Sequence, residues 1–200
     1  MAQHQISENL IGAVDVMLGR DRGMQRMDLT PDGFWKSFWG LLLALLLDAF
    51  AFGLFYPLFA ERMDEAAPSR FVFIFGSLIA SFIGYAAAML ALFLLCRSPD
   101  EARGFPTSLA VHNWSRPVLS AVVLPLYILI IAIGEPGQPT ALDTMLGLAI
   151  MAALVVAGVR ILRISLLLTP GKAIGYFALT TLVFLAISSG LESLFGLTRS

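Results

Sequence analysis

Five long apolar segments, separated by short polar stretches, occupy most of the chain after residue 30. They cover residues 34–59, 71–96, 115–134, 141–168 and 173–195. A helix of about 20 apolar residues crosses the hydrocarbon core of a bilayer, so each segment predicts one transmembrane helix. The connection at residues 169–172 is so short that the last two helices are expected to pack antiparallel.

The residues before the first span predict a cytoplasmic tail, 1–29, that contains an amphipathic helix at 7–18. Ser7 is a residue type that caps helices, and Gly19 offers a C-terminal stop. Apolar side chains between them share one helix face, namely Leu10, Ile11, Val14, Met17 and Leu18. Such a helix lies in the bilayer interface or packs on a partner, and the pattern leaves both open.

Composition agrees with an all-α, polytopic membrane protein whose residues 30–200 form one bundle. Hydrophobic residues make up 58% of the chain and charged residues only 14%, against about 25% charged in a typical soluble domain. The net charge of −1 argues against a nucleic-acid partner, because phosphate binding needs a clustered basic surface.

The distribution of basic residues predicts the orientation of the spans. Ten basic residues lie on the side of the N-terminus: Arg20, Arg22, Arg26, Lys36, Arg97, Arg103, Arg116, Arg160, Arg163 and Lys172. The opposite side has three: Arg62, Arg70 and Arg199. Because cytoplasmic loops carry the excess of Lys and Arg, we expect a cytoplasmic N-terminus and an external C-terminus.

An ionisable residue, Asp48, lies near the middle of the first apolar segment. It is roughly 20 Å along the helix from the segment's start, and ionisable groups at that depth mark functional or assembly sites. Arg160 and Arg163 lie in the last third of the fourth segment. These three residues form the predicted intramembrane polar site. Asp48 is expected to pair with Arg160, to stay neutral and bond Ser or Tyr of the second span, or to meet another protein's helix.

Small residues recur at every fourth position of the second span, at Gly76, Ala80, Gly84 and Ala88. This spacing places them on one helix face, where another backbone can approach closely. We therefore expect the face to be a helix-packing surface.

Residues 105–114 predict an interfacial helix that ends in His112, Asn113 and Trp114, after which the third span begins at residues 115–117. The His112-Asn113-Trp114-Ser115 sequence, the Gly84-Tyr85 pair and the five-span pattern resemble the small bacterial members of the Ypt-interacting-protein (Yip) domain family. The acidic-leucine-glycine-proline motif of the eukaryotic members is missing. The resemblance implies a non-enzymatic scaffold or adaptor in a bacterial inner membrane.

Three classes of function are compatible with this pattern. The first is a scaffold or accessory subunit that binds other membrane proteins or a second copy in the bilayer. The second is a small oligomeric transporter or channel with a polar path around Asp48. The third is an intramembrane enzyme, which is disfavoured because the spans offer one central Asp and the two histidines lie far apart. No catalytic, metal-binding or cofactor-binding residue is predicted.

Overall fold

The computed structural model describes residues 2–63, 67–133 and 141–197. The regular secondary structure in these ranges is helical, as predicted. The helices are α1 (Ala2–Met17), α2 (Gly23–Arg26), α3 (Pro31–Met63), α4 (Arg70–Leu95), α5 (Pro99–Ile133), α6 (Ala141–Ser165) and α7 (Pro170–Leu194). The predicted end of the third span, at residue 134, lies outside the described residues.

Four described segments are long and apolar enough to cross a membrane. They are Pro31–Glu61, Arg70–Leu95, Thr144–Ser165 and Pro170–Leu194, with mean hydropathies between 1.8 and 2.4. This indicates a multi-pass membrane protein.

The predicted break between an interfacial helix at 105–114 and the helix of the third span is wrong, because α5 is one continuous helix of 35 residues. It runs through Pro106, Pro117 and Pro125. Pro117 has no N–H to donate to the carbonyl of Asn113, four residues earlier. That oxygen lies against α3, where a Cβ built on Gly40 would be only 2.7 Å from it. The close approach of a glycine backbone thus accommodates the carbonyl that the proline leaves free.

The ends of α1 and α3 test further predicted helix boundaries. Ser7 does not cap α1, which begins at Ala2; its Oγ donates instead to the carbonyl of His4 at 2.8 Å. The predicted stop at Gly19 is confirmed: its φ is +82°, and Arg20 N donates to Asp15 O across the helix end. Helix α3 continues past residue 59 to Met63, with Pro57 inside it.

Consecutive long helices alternate in direction, and the two most extensive interfaces are α3 with α5 and α4 with α7. Helices α3 and α5 are parallel, since Gly40 lies beside Asn113 and Asp48 beside Ser120. Helices α4 and α7 are antiparallel: Tyr176 bonds the carbonyl of Leu95 at one end, while Gly76 meets Leu197 at the other.

Helix α1 packs across α5 and α6 of its own chain. Ala13 and Val16 are fully buried in a core that also contains Trp114 and Ile161. The predicted apolar face is divided, because Met17 is buried whereas Ile11, Val14 and Leu18 are exposed. The helix therefore buries one edge against the bundle and presents an apolar edge outward.

Candidate functional site

Asp48 is bound by two side chains of α5. Its Oδ2 accepts a hydrogen bond from Arg116 Nη2 at 3.2 Å, and its Oδ1 accepts one from Ser120 Oγ at 2.9 Å. The two charged side chains are about equally shielded, with 20% of Asp48 and 19% of Arg116 exposed. Of the predicted arrangements, neither the pair with Arg160 nor the bond to Ser or Tyr of the second span matches these partners, since Arg116 and Ser120 both lie inside α5.

Arg116 also binds α4. Its guanidinium carbon lies 4.7 Å from the centroid of the Tyr85 ring, within the range of cation–π attraction. One guanidinium therefore contacts side chains of two neighbouring helices, and the carboxylate of Asp48 neutralises its charge.

A chain of hydrogen bonds extends from Tyr85 to the start of α3. The Tyr85 hydroxyl donates to Asn113 Oδ1 at 2.7 Å, and Asn113 Nδ2 donates to Ser37 Oγ at 2.9 Å. Asn113 and Ser37 are both fully buried. We call the six connected residues the polar junction: Ser37, Asp48, Tyr85, Asn113, Arg116 and Ser120.

The polar junction extends from Ser37, near the start of α3, to Asp48 and Arg116, which lie at the middle of α3 and α5. Arg116 is 17 residues from either end of α5, which is about 26 Å of helix on each side. Asp48 is 17 residues after the start of α3 and 15 before its end. Because an unpaired charge that is shielded from water is costly, the ion pair between Asp48 and Arg116 stabilises the contact between α3 and α5.

Arg160 belongs to a different place in the fold. Its Nη1 donates to the carbonyl of Met17 at 3.2 Å, so it caps the C-terminal end of α1. Arg163 is exposed on the last turn of α6. The structure therefore does not bring Asp48, Arg160 and Arg163 together as one site.

The residues predicted to be interfacial lie inside the bundle. Asn113 is fully buried and Trp114 is only 2% exposed, because α5 continues through this position. His112 is half-buried, with its Nδ1 2.9 Å from the carbonyl oxygen of Ser108. In the described part of the chain, Trp114 Nε1 finds no hydrogen-bond partner.

All four small residues of the α4 ladder are buried. A Cβ built on Gly84 would lie 3.2 Å from the backbone oxygen of Phe184 and 3.3 Å from Ser188 Cβ. At the other end of the ladder, a Cβ on Gly76 would lie 3.0 Å from Leu197 Cδ1. The face that they form is covered by α7 and the residues after it.

Ionic contacts fix the short α1–α2 hairpin. Asp15 is buried and lies 3.0, 3.3 and 3.4 Å from nitrogens of Arg20, Arg22 and Arg26. The hydrogen bond from Arg20 is the main reason that the pKa of Asp15 is lowered. The sequence indicates these arginines only as topology signals, and no pattern in it predicts that they meet at Asp15.

A second ionic contact joins the starts of α5 and α7. Lys172 Nζ binds Glu101, and this bond is the main reason that the pKa of the Glu101 carboxyl is lowered. The Tyr176 hydroxyl lies 3.2 Å from the same carboxylate and 2.7 Å from the carbonyl of Leu95. These contacts hold α4, α5 and α7 together at the end where α1 docks.

Among the residues that the structure describes, no group of three or more His, Cys, Asp or Glu side chains could hold a metal ion. Comparison of the chain with protein-family models, with curated proteins and with solved structures gives no match. The function is therefore inferred from the geometry of the chain itself.

Proposed function

We propose that this protein is a non-catalytic integral-membrane scaffold or accessory subunit of a larger membrane complex. The observation that carries the proposal is the polar junction. Both oxygens of Asp48 are bound by α5 side chains of the same chain, and Arg116 is held between Asp48 and Tyr85. These groups connect α3, α4 and α5. Such contacts stabilise the packing of helices, whereas a transport site must bind and release a solute.

The proposal includes five spans, with α5 as the third. Helix α5 runs parallel to α3 and begins at the same end of the bundle, so it follows α3 across the membrane. An odd number of spans places the two termini on opposite sides. The excess of basic residues on the α1 side favours a cytoplasmic N-terminus, as in a bacterial inner membrane. Helix α1 then lies at the cytoplasmic interface, with Ile11, Val14 and Leu18 directed outward.

Two exposed apolar stripes offer surfaces for partner helices. Leu42, Leu46, Phe50 and Leu54 follow one side of α3, and Met145, Leu148, Met151 and Val155 follow one side of α6. Each stripe has the spacing of a single helix face. A scaffold needs such outward surfaces on a rigid support, and the polar junction makes α3 part of that support.

The resemblance to the Yip domain family agrees with this proposal. The two fragments that carry it, Gly84-Tyr85 and His112-Asn113-Trp114-Ser115, lie far apart in sequence but touch in the fold. Tyr85 and Asn113 share a hydrogen bond of 2.7 Å. Membership of that family implies a scaffold or adaptor role.

Purification from native membranes in a mild detergent tests the proposal. We expect the chain to migrate on a native gel within a complex larger than any small homo-oligomer, with a partner in fixed ratio. The double variant Leu46→Ser/Phe50→Ser alters the α3 stripe, and Leu148→Ser/Met151→Ser is its matched counterpart on α6. One of these two double variants should release the partner protein, while the other should retain it.

A flux measurement on vesicles that contain only the purified chain separates the proposal from the transporter hypothesis. A scaffold should give no solute or ion flux above that of protein-free vesicles. A flux that Asp48→Asn abolishes, from a protein that migrates alone, would show instead that the polar junction lines a path.

A further inference from the structure

A lipid-facing groove lies between α5 and α6, on the side where α1 crosses them. Its volume is about 520 Å³, and its walls are apolar, with Val122 and Leu126 on α5 and Ile150 and Ala153 on α6. The C-terminal end of α1 closes the groove at one end, where Arg160 is its charged lining residue. From Ile150 to Arg160 the groove follows 10 residues of α6, about 15 Å. This is half of the roughly 30 Å hydrocarbon core, or one leaflet.

The rim of the groove has an excess of positive charge. Arg160 lies beside Gly19, the residue that ends α1, with its Nε 3.2 Å from a Cβ built there. The adjoining Arg20 and Arg22 are 53% and 60% exposed and share the carboxylate of Asp15 with Arg26, while the exposed Asp21 between them brings one further negative charge. The carbonyl of Met17 accepts from Nη1 of Arg160 but brings no formal charge. An anion at this rim therefore meets cationic groups that lack full neutralisation.

We propose that the groove binds an anionic phospholipid from the leaflet on the α1 side. One acyl chain lies along the α5–α6 walls, and the phosphate lies at Arg160. An apolar groove one leaflet deep matches an acyl chain, and a basic rim at its polar end matches a negatively charged headgroup. A zwitterionic headgroup would place its own ammonium group near the arginines, which weakens that attraction.

The test is native mass spectrometry of protein purified from vesicles of equal phosphatidylglycerol and phosphatidylcholine. We expect the retained lipid to be enriched about five-fold in phosphatidylglycerol, as one arginine–headgroup attraction predicts. Arg160→Gln should reduce the enrichment to near one. Arg163→Gln, three residues further along α6 and exposed, is the matched control and should retain it.

Two further variants separate lipid binding from the capping role of Arg160. Arg160→Lys keeps the charge, so it should retain most of the enrichment even if α1 is weakened. Ala153→Phe fills the groove and leaves every charge in place, and it should lower the retention of both lipids. Thermal unfolding of each variant in detergent shows whether the bundle is intact.

The proposal is overturned if the wild-type protein retains both lipids equally, or if Arg160→Gln keeps the enrichment in a folded protein. It is also overturned if Ala153→Cys forms a disulfide-linked dimer in vesicles, because a second copy then occupies the groove. None of these three results depends on the scaffold proposal, which concerns the α3 and α6 stripes and a protein partner.

Discussion

The two most extensive helix interfaces of this bundle are stabilised by different kinds of contact. Helices α3 and α5 are joined by side-chain hydrogen bonds and an ion pair, from Ser37–Asn113 at one end to Asp48–Arg116 near the middle. Helices α4 and α7 are joined by close backbone approach, with Gly84 against Phe184. The hydroxyls of Thr180 and Ser188 on α7 bond carbonyls of their own helix. Polar side-chain bonds thus predominate in the first interface, which also has the close approach at Gly40, and close packing of small residues predominates in the second.

The difference determines which substitutions each interface tolerates. A surface made by small residues is sensitive to added volume, because neighbouring backbone atoms cannot move away easily. A surface made by buried polar pairs is sensitive to removal of one partner, because the other is left without a bond. Away from Gly40 and Tyr176, each interface should therefore be less sensitive to the change that damages the other.

The largest effect is expected for Gly84→Leu. The new side chain would meet the Phe184 backbone, so we expect about 3 kcal/mol of destabilisation or loss of folded protein. Unfolding in mixed micelles with increasing sodium dodecyl sulfate measures the change. Gly175→Leu on α7 is the matched control, since nothing lies within 4 Å of a Cβ there. Equal stability of the two variants would mean that α4 and α7 do not pack as described.

A smaller effect is expected for Asp48→Asn, which removes the carboxylate charge while keeping the size of the side chain. Arg116 then loses its counter-ion, and we expect a loss of about 2 kcal/mol. Arg116→Met should recover part of that loss when combined with Asp48→Asn, because it removes the unpaired charge. A double-mutant cycle of unfolding free energies should give a coupling of about 1 to 3 kcal/mol. If Arg160→Gln couples to Asp48→Asn instead, the ion pair is assigned to the wrong arginine.

The smallest effect compares two buried serines. Ser37→Ala removes the acceptor of Asn113 Nδ2 and should cost about 1 kcal/mol. Ser188→Ala removes only bonds to backbone carbonyls of its own helix, and its cost should stay below about 0.5 kcal/mol. Unfolding in the same micelles measures both variants. A reversed order would show that α3–α5 packing does not depend on the hydrogen bond between Ser37 and Asn113.

The sequence predicts the α4 packing surface but not what covers it. Small residues at every fourth position of a membrane helix indicate a helix-packing surface. All four of these residues are buried, as this prediction requires. The partner, α7, carries Phe184 and Ser188 at the contact. Phe and Ser are common in membrane helices, so the spacing of residues within α7 does not predict its contact with Gly84, 100 residues earlier.

The sequence identifies Asp48 as unusual but leads to the wrong arginine. Ser-Arg-Pro at 115–117 matches the start of a helix, where proline is favoured. The sequence therefore predicts Arg116 at the membrane surface, away from Asp48. A signal for the alternative was present. Asn113, Arg116 and Ser120 recur at intervals of three and four, which places three polar side chains on one face of an uninterrupted helix. A proline within that helix is tolerated because Gly40 of α3 accommodates the freed carbonyl.

The cap that Arg160 places on α1 has a consequence for biogenesis. Helix α1 leaves the ribosome before α6, and the arginine that binds its last turn follows 143 residues later. At about 5 to 20 residues per second, the interval is roughly 7 to 30 seconds. Throughout that time the docking surface for the edge formed by Ala13 and Val16 is incomplete, because the core that receives it includes Ile161 of α6 as well as Trp114 of α5. Helix α1 must wait on the membrane surface or on a chaperone, so a segment that is made before the five long helices completes its packing only after most of them exist.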